Sequence, residues 1–132
     1  MIKNEVELFY YLKKYFFKNL TMSSDQFDIH DCHTQTHYIE LKCRRVHYDE
    51  LILEKKKYDN LIKNSLDINL NPLYISSTPK GIYAFYLDDI KFKWYKKMLP
   101  ITTDFDNNQK IEKIICTLHI KDAVELIVKN DI

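Results

Sequence analysis

Asp28, Glu40 and Lys42 are the residues whose types and spacing suit hydrolytic chemistry: a carboxylate, a second one twelve positions on, and an amine two further along. Two carboxylates held side by side repel each other until a cation neutralises them. Hard oxygen donors of this kind suit Mg²⁺ or Mn²⁺, which keep waters and accept phosphate oxygens as further ligands. A cation so held lowers the pKa of a bound water and stabilises charge on phosphoryl oxygens. An ammonium group beside it can position that water or stabilise the transition state. The plain alternative is a solvated strand whose acids and bases form cross-strand ion pairs of little energetic consequence.

For the three groups to meet, they must lie on a hairpin. Residues 26–32 and 37–44 both read as short strands, separated by the polar run His33-Thr34-Gln35-Thr36. Tyr38-Ile39-Glu40-Leu41-Lys42-Cys43 alternates with period two, so Tyr38, Glu40 and Lys42 share one face and Ile39, Leu41 and Cys43 the other. The hairpin register decides whether Asp28 or Asp31 shares the face of Glu40; the reading favours Asp28 and keeps Asp31 as the alternative acid. Residues 4–20 read as an amphipathic helix in which Glu5, Leu8, Phe9, Leu12 and Phe16 form one stripe. A carboxylate on a buried stripe costs several kcal/mol unless it finds a partner. Glu5 is therefore a candidate third carboxylate, facing the sheet.

These motifs resemble those of the PD-(D/E)xK nuclease superfamily. Tyr38-Ile39-Glu40-Leu41-Lys42-Cys43-Arg44 looks like its E-x-K strand, and Phe27-Asp28-Ile29 is similar to its upstream acidic motif, with Phe at the nominal proline position. Glu5-Val6-Glu7-Leu8 resembles the E-x-E-L start of the first helix in archaeal Holliday-junction resolvases, whose first Glu belongs to the active site. Glu54 to Tyr58 has the spacing of the Q-x-x-x-Y motif of RecB-type nucleases, with Glu for Gln. The likeness covers about residues 5–60. Leu99-Pro100-Ile101-Thr102-Thr103 is more loosely similar to small phage-encoded nucleases of this class. The resemblance implies a restriction-endonuclease-like αβββαβ core. It also implies a Mg²⁺- or Mn²⁺-dependent endonuclease acting on DNA, including branched or junction DNA, with Asp28, Glu40 and Glu5 as metal ligands and Lys42 as the catalytic amine. A homodimer follows by analogy, since cutting two strands calls for matched sites. The other reading is a module that binds nucleic acid or protein without catalysis.

The remaining elements frame these residues. Residues 48–66 read as a second helix with Leu51, Tyr58, Ile62 and Leu66 on its apolar side. Residues 73–77, 82–87 and 111–119 read as strands, 91–97 as a strand or irregular edge, and 122–129 as a closing helix. Thr78-Pro79-Lys80-Gly81 reads as a turn that places the single glycine where positive φ is needed. Helix, strands, helix, strands points to an α/β or α+β domain with a mixed central sheet flanked by helices, spanning residues 1–132 as one unit.

A net charge of +1 excludes a uniformly basic coat, so nucleic-acid contacts must be local. Arg44 and Arg45 follow the candidate catalytic strand, and Lys55, Lys56 and Lys57 lie on the next predicted helix. They could contact phosphates, although a lysine run is as often a solvated helix face. Lys91, Lys93, Trp94, Lys96 and Lys97 mix basic and aromatic side chains as single-strand-binding surfaces do, and a half-buried edge strand explains them equally. His30, Cys32, His33 and His37 crowd the hairpin, but strand alternation sends neighbours to opposite faces, against a zinc site. The three cysteines contain no Cys-x-x-Cys pair and read as small buried hydrophobes. Nothing reads as a membrane span or secretion signal, so the expected location is the cytoplasm (of a host cell, if phage-encoded), with no membrane partner and no organic cofactor.

Overall fold

The computed structural model describes residues 2–23, 31–101 and 109–127. Asp28, Phe27, His30, Thr102 and Thr103 lie outside them. Helix α1 (Glu5–Tyr15) begins where Asn4, in extended conformation, accepts a hydrogen bond from the Glu7 amide and so satisfies one free N–H of the first turn. It is shorter than the expected 4–20. The amides of Phe16 and Phe17 both donate to the Leu12 carbonyl, closing the helix so that these two rings turn back onto the core.

Strands β1 (Thr21–Met22), β2 (Asp31–His33) and β3 (His37–Cys43) follow, each antiparallel to the last. The chain then departs from expectation. Instead of one helix over 48–66, strand β4 (Glu50–Glu54) precedes helix α2 (Lys55–Asp67). Glu50-Leu51-Ile52-Leu53-Glu54 alternates, and Leu51 and Leu53 are both buried at the period of a strand. The buried positions of α2 are Leu61 and Ser65, while Leu66, expected on the apolar side, is 74% exposed. Asn69, just past the helix, holds the only positive φ outside glycine among the described residues (56°), where helices commonly end in a left-handed residue.

Strands β5 (Asn71–Thr78) and β6 (Gly81–Tyr86) form a hairpin whose four-residue turn closes without positive φ at Gly81, contrary to expectation. The constraint there is space. A Cβ on Gly81 would lie 3.2 Å from a Glu125 carboxylate oxygen and 3.3 Å from the Tyr83 hydroxyl. Residues 91–94 are irregular; β7 (Tyr95–Pro100) and β8 (Lys110–His119) complete the larger elements. The expected closing helix is replaced by a 3-10 turn and β9 (Val124–Leu126), which pairs with the otherwise free edge of β6. Edge pairing satisfies the backbone groups on the outer edge of β6, which a helix at this place would leave unpaired.

The architecture is thus mixed α+β. One sheet has the order β1-β2-β3-β5-β6-β9, with β3 and β5 parallel and the other pairs antiparallel; a second has the order β4-β8-β7. Alternation splits the large sheet between two cores. Ile39, Leu41, Leu73, Ile75 and Ala84 pack against Leu8, Phe9 and Leu12 of α1. Tyr38, Tyr74, Tyr83 and Phe85 pack on the opposite face against Leu51 and Leu53, Leu61 of α2, and Cys116 and Leu118 of β8. No helix among the described residues is long and apolar enough to cross a membrane.

Candidate active site

Glu40 and Lys42 project from β3 toward the side of the sheet covered by α2 and the second sheet, the face of Tyr38. The strand register sets Asp31 directly opposite Glu40. Residues so opposed in an antiparallel pair place their side chains as immediate neighbours on one face. Asp31 accepts a 3.0 Å hydrogen bond from the Tyr38 hydroxyl, which orients its carboxylate beside Glu40. Among the described residues, Oε2 of Glu40 is shielded from solvent and has no hydrogen-bond partner.

Burial pushes the Glu40 carboxyl up to about 7; Asp31 and Glu54 add to the shift, and Lys57 and Lys42 oppose it. Burial also lowers Lys42, helped by the cations Lys57 and Arg44, while Glu5 and Glu40 favour its charged form. A half-buried acid and amine are thus held two residues apart, each moved toward neutrality. Tyr74, the β5 neighbour of Glu40 in the parallel register, is pushed up to about 12 by burial despite the nearby Arg44.

Glu5 arrives from the other side. Its helix packs on the Ile39/Leu41 face, and its carboxylate accepts the Cys43 amide at 3.4 Å, at the end of β3. The expected facing of the sheet is present, but the structure does not gather Glu5 with Asp31 and Glu40. Its link to the site is electrostatic, through Lys42.

Arg44 fastens the two sheets. It donates to Ser76 Oγ (3.1 Å), the Ile52 carbonyl (2.7 Å) and the Tyr74 hydroxyl (3.2 Å). Arg45, the next residue, is exposed to solvent. Lys55 pairs with Asp59 at 2.9 Å and lies 5.6 Å over the Trp94 ring, the arrangement of a solvated helix face. Trp94 is itself occupied, stacked on Phe92 at 5.6 Å and edge-on to Tyr58. Glu54 caps α2 without a side-chain hydrogen bond to the helix and pairs with Lys113 at 2.9 Å. Lys42 and Arg44, together with Lys55, Lys56 and Lys57, line a cleft of about 1270 Å³ between β3, the start of α2 and the β7–β8 ribbon.

Cys32 is buried in the α1 core, on the opposite face from Asp31 and His33; His30 lies outside the described residues. Among the described residues no cluster of three or more His, Cys, Asp or Glu side chains forms a ready metal cage. The acidic pair and the orphaned Glu40 oxygen nonetheless fit a hard cation, since Mg²⁺ is commonly held by one or two carboxylates, with waters and substrate phosphate completing its shell. Tyr38, the orienter of Asp31, could be found from the alternation of β3. Tyr74 and Lys57 could not, because only tertiary packing brings β5 and α2 to this face. Comparison with protein-family models, curated proteins and solved structures returns no match to this chain.

Proposed function

We propose that the protein is a divalent-metal-dependent phosphodiesterase acting on DNA, with Asp31, Glu40 and Lys42 at its centre. The observation that carries this reading is the opposed pair Asp31 and Glu40, with one Glu40 oxygen buried without a partner among the described residues, beside a half-buried lysine. The order of elements supports it: helix, three antiparallel strands, helix, then a strand parallel to the third is the αβββαβ order of a restriction-endonuclease-like core, with β4 inserted ahead of α2.

Asp31 and Glu40 would hold Mg²⁺ or Mn²⁺, and Asp28 remains the alternative acid. When bound, such a cation supplies an activated water and charge neutralisation at the phosphoryl oxygens. Tyr38 fixes the Asp31 carboxylate through its hydroxyl. Lys42, whose burial favours giving up its proton, would as the neutral amine position the attacking water and accept its proton, or as the ammonium donate to a phosphoryl oxygen. Glu5 and Glu40 oppose part of that shift and favour the charged amine. Arg44 is committed to the scaffold and keeps the cleft wall in place.

The test is Mg²⁺- or Mn²⁺-dependent cleavage of plasmid and oligonucleotide DNA, with EDTA controls. Glu40→Gln and Lys42→Ala should each lower the rate by about 10²-fold or more. Asp31→Asn against Asp28→Asn assigns the second acid. Cleavage that persists in both Glu40→Gln and Lys42→Ala defeats the proposal. A wild type that binds DNA and never cuts it favours the non-catalytic module instead.

A further inference from the structure

The cleft beside Lys42 has two unlike walls. One is basic: Lys42 on β3, and Lys56 and Lys57 in the first turn of α2. The other is the β7–β8 ribbon, whose register puts Leu99 opposite Ile111 and hydrogen-bonds Ile101 to Gln109, so that Leu99, Ile101 and Ile111 share one face. All three line the cleft. Ile101 and Ile111 are 38% and 43% exposed, so these aliphatic side chains face the opening and not the core.

Charge in the cleft is uneven. Its lining holds Lys42, Arg44, Lys55, Lys56, Lys57 and Lys113 against Glu54, Asp59 and Glu112, an excess of three positive charges in a chain whose net charge is +1. Lys55 and Lys113 pair with Asp59 and Glu54, Glu112 pairs with Lys96 outside the cleft, and Arg44 is engaged by neutral partners; among the described residues Lys42, Lys56 and Lys57 make no ion pair, although Lys42 and Lys57 also feel the Glu40 carboxylate. Three lysines in the first turn of a helix work against its dipole, an arrangement that an anion in the cleft would relieve. The volume, about 1270 Å³, exceeds the roughly 300–1,000 Å³ of a typical small-molecule pocket.

We infer that the cleft takes an unpaired single strand of DNA, phosphates along Lys42, Lys56 and Lys57 and base faces against Leu99, Ile101 and Ile111. A single strand has the matching asymmetry: one charged edge and one row of exposed apolar faces. A duplex hides its base faces and would press phosphates against the aliphatic wall, desolvating them without compensation. Apolar side chains are used against unstacked bases elsewhere in nucleic-acid recognition. This inference rests on the nuclease reading for the identity of the polymer and deepens it, because the strand would run past Lys42, two residues from Glu40 on β3.

The test is fluorescence anisotropy in EDTA, where no cleavage occurs, with labelled oligo-deoxythymidylate, a matched duplex and a sulfated polysaccharide of similar charge. The single strand should bind at least about tenfold more tightly than either competitor. Lys56→Gln/Lys57→Gln should weaken single-strand binding and flatten its salt dependence by about 0.7 in log–log slope for each phosphate that is no longer neutralised. Ile101→Thr/Ile111→Thr, which keeps β-branched side chains on an exposed ribbon, should weaken single-strand binding and leave polysaccharide binding unchanged; thermal melts establish that both variants fold. Equal or tighter binding of the duplex, or of the polysaccharide, overturns the inference, as does unchanged single-strand affinity in the isoleucine variant. Binding with the expected pattern in a protein that never cleaves DNA sinks only the catalytic reading. Cleavage with duplex-preferring binding sinks only this one.

Discussion

Asp31 on β2 and Glu40 on β3 stand directly opposite each other across an antiparallel ladder, on the face of the sheet turned toward α2. Like charges in such positions destabilise a sheet, and here one of the pair also carries a buried oxygen with no partner among the described residues. The fold tolerates a local cost at this point, and the consequences of that cost are measurable.

The first is a pH dependence of stability. The Glu40 carboxyl moves from an ordinary 4.5 to about 7 in the folded chain, chiefly through burial. Between those values the folded state binds more protons than the unfolded state, so stability is fully present below about pH 4.5 and is lost as pH rises through about 7. The loss is on the order of 3 kcal/mol. Urea denaturation in EDTA should show the wild-type midpoint falling from pH 4.5 to 8 more steeply than that of Glu40→Gln, which should be the more stable protein at pH 8. Parallel pH profiles for the two would remove the buried carboxyl as the cause.

Metal addition should act on the same group. At pH 8, Mg²⁺ or Mn²⁺ should raise the melting temperature of the wild type by neutralising the acidic pair, by an amount that grows with concentration as linkage requires. Glu40→Gln should respond far less. Identical metal-induced shifts in both proteins would place the binding elsewhere.

Lys42 should be intolerant of arginine. A guanidinium keeps its charge and cannot give up a proton in a protein, whereas burial lowers the Lys42 amine. Single-turnover cleavage by Lys42→Arg should fall by about 10²-fold. A rate near that of wild type would reduce the role of Lys42 to that of a fixed positive charge.

Arg44→Ala should destabilise the chain by about 2–4 kcal/mol. The substitution strips partners from the Ile52 carbonyl and the Tyr74 hydroxyl, both at the junction of the two sheets. Thermal or urea unfolding measures this directly. A change within a few tenths of a kcal/mol would mean that Arg44 is a surface cation and not a fastener.

The cysteines should separate by reactivity. Burial pushes the Cys32 thiol up to about 12 and the Cys116 thiol up to about 11, while Cys43 is only partly buried at the end of β3. Alkylation of the native protein followed by mass mapping should label Cys43 first, and the other two only on unfolding. Early labelling of Cys32 would contradict its place in the α1 core.

Much of the scaffold could be read from local pattern. Alternation over Tyr38 to Cys43 assigned Tyr38, Glu40 and Lys42 to one face, and apolar runs marked β5, β6 and most of β8, because strand period and burial are written in adjacent residues. Strand β4 was hidden: Leu51 also suits the apolar side of a helix that continues into α2, and what makes residues 50–54 a strand is pairing with β8, more than sixty residues away. The same non-local cause turns Val124–Leu126 into an edge strand on β6.

The chain alone therefore determined that Tyr38, Glu40 and Lys42 share a face, and left the second acid open between Asp28 and Asp31. Only tertiary structure decided what that face meets. It brought Tyr74 and Lys57 to the site, tied Glu5 to the Cys43 amide at the end of β3, opposed Asp31 to Glu40 through a register that composition cannot specify, and set an aliphatic ribbon across from the lysines of α2. Side-chain direction along a strand is a local property of the backbone, whereas the partner across a sheet or cleft is chosen by the global burial of apolar surface.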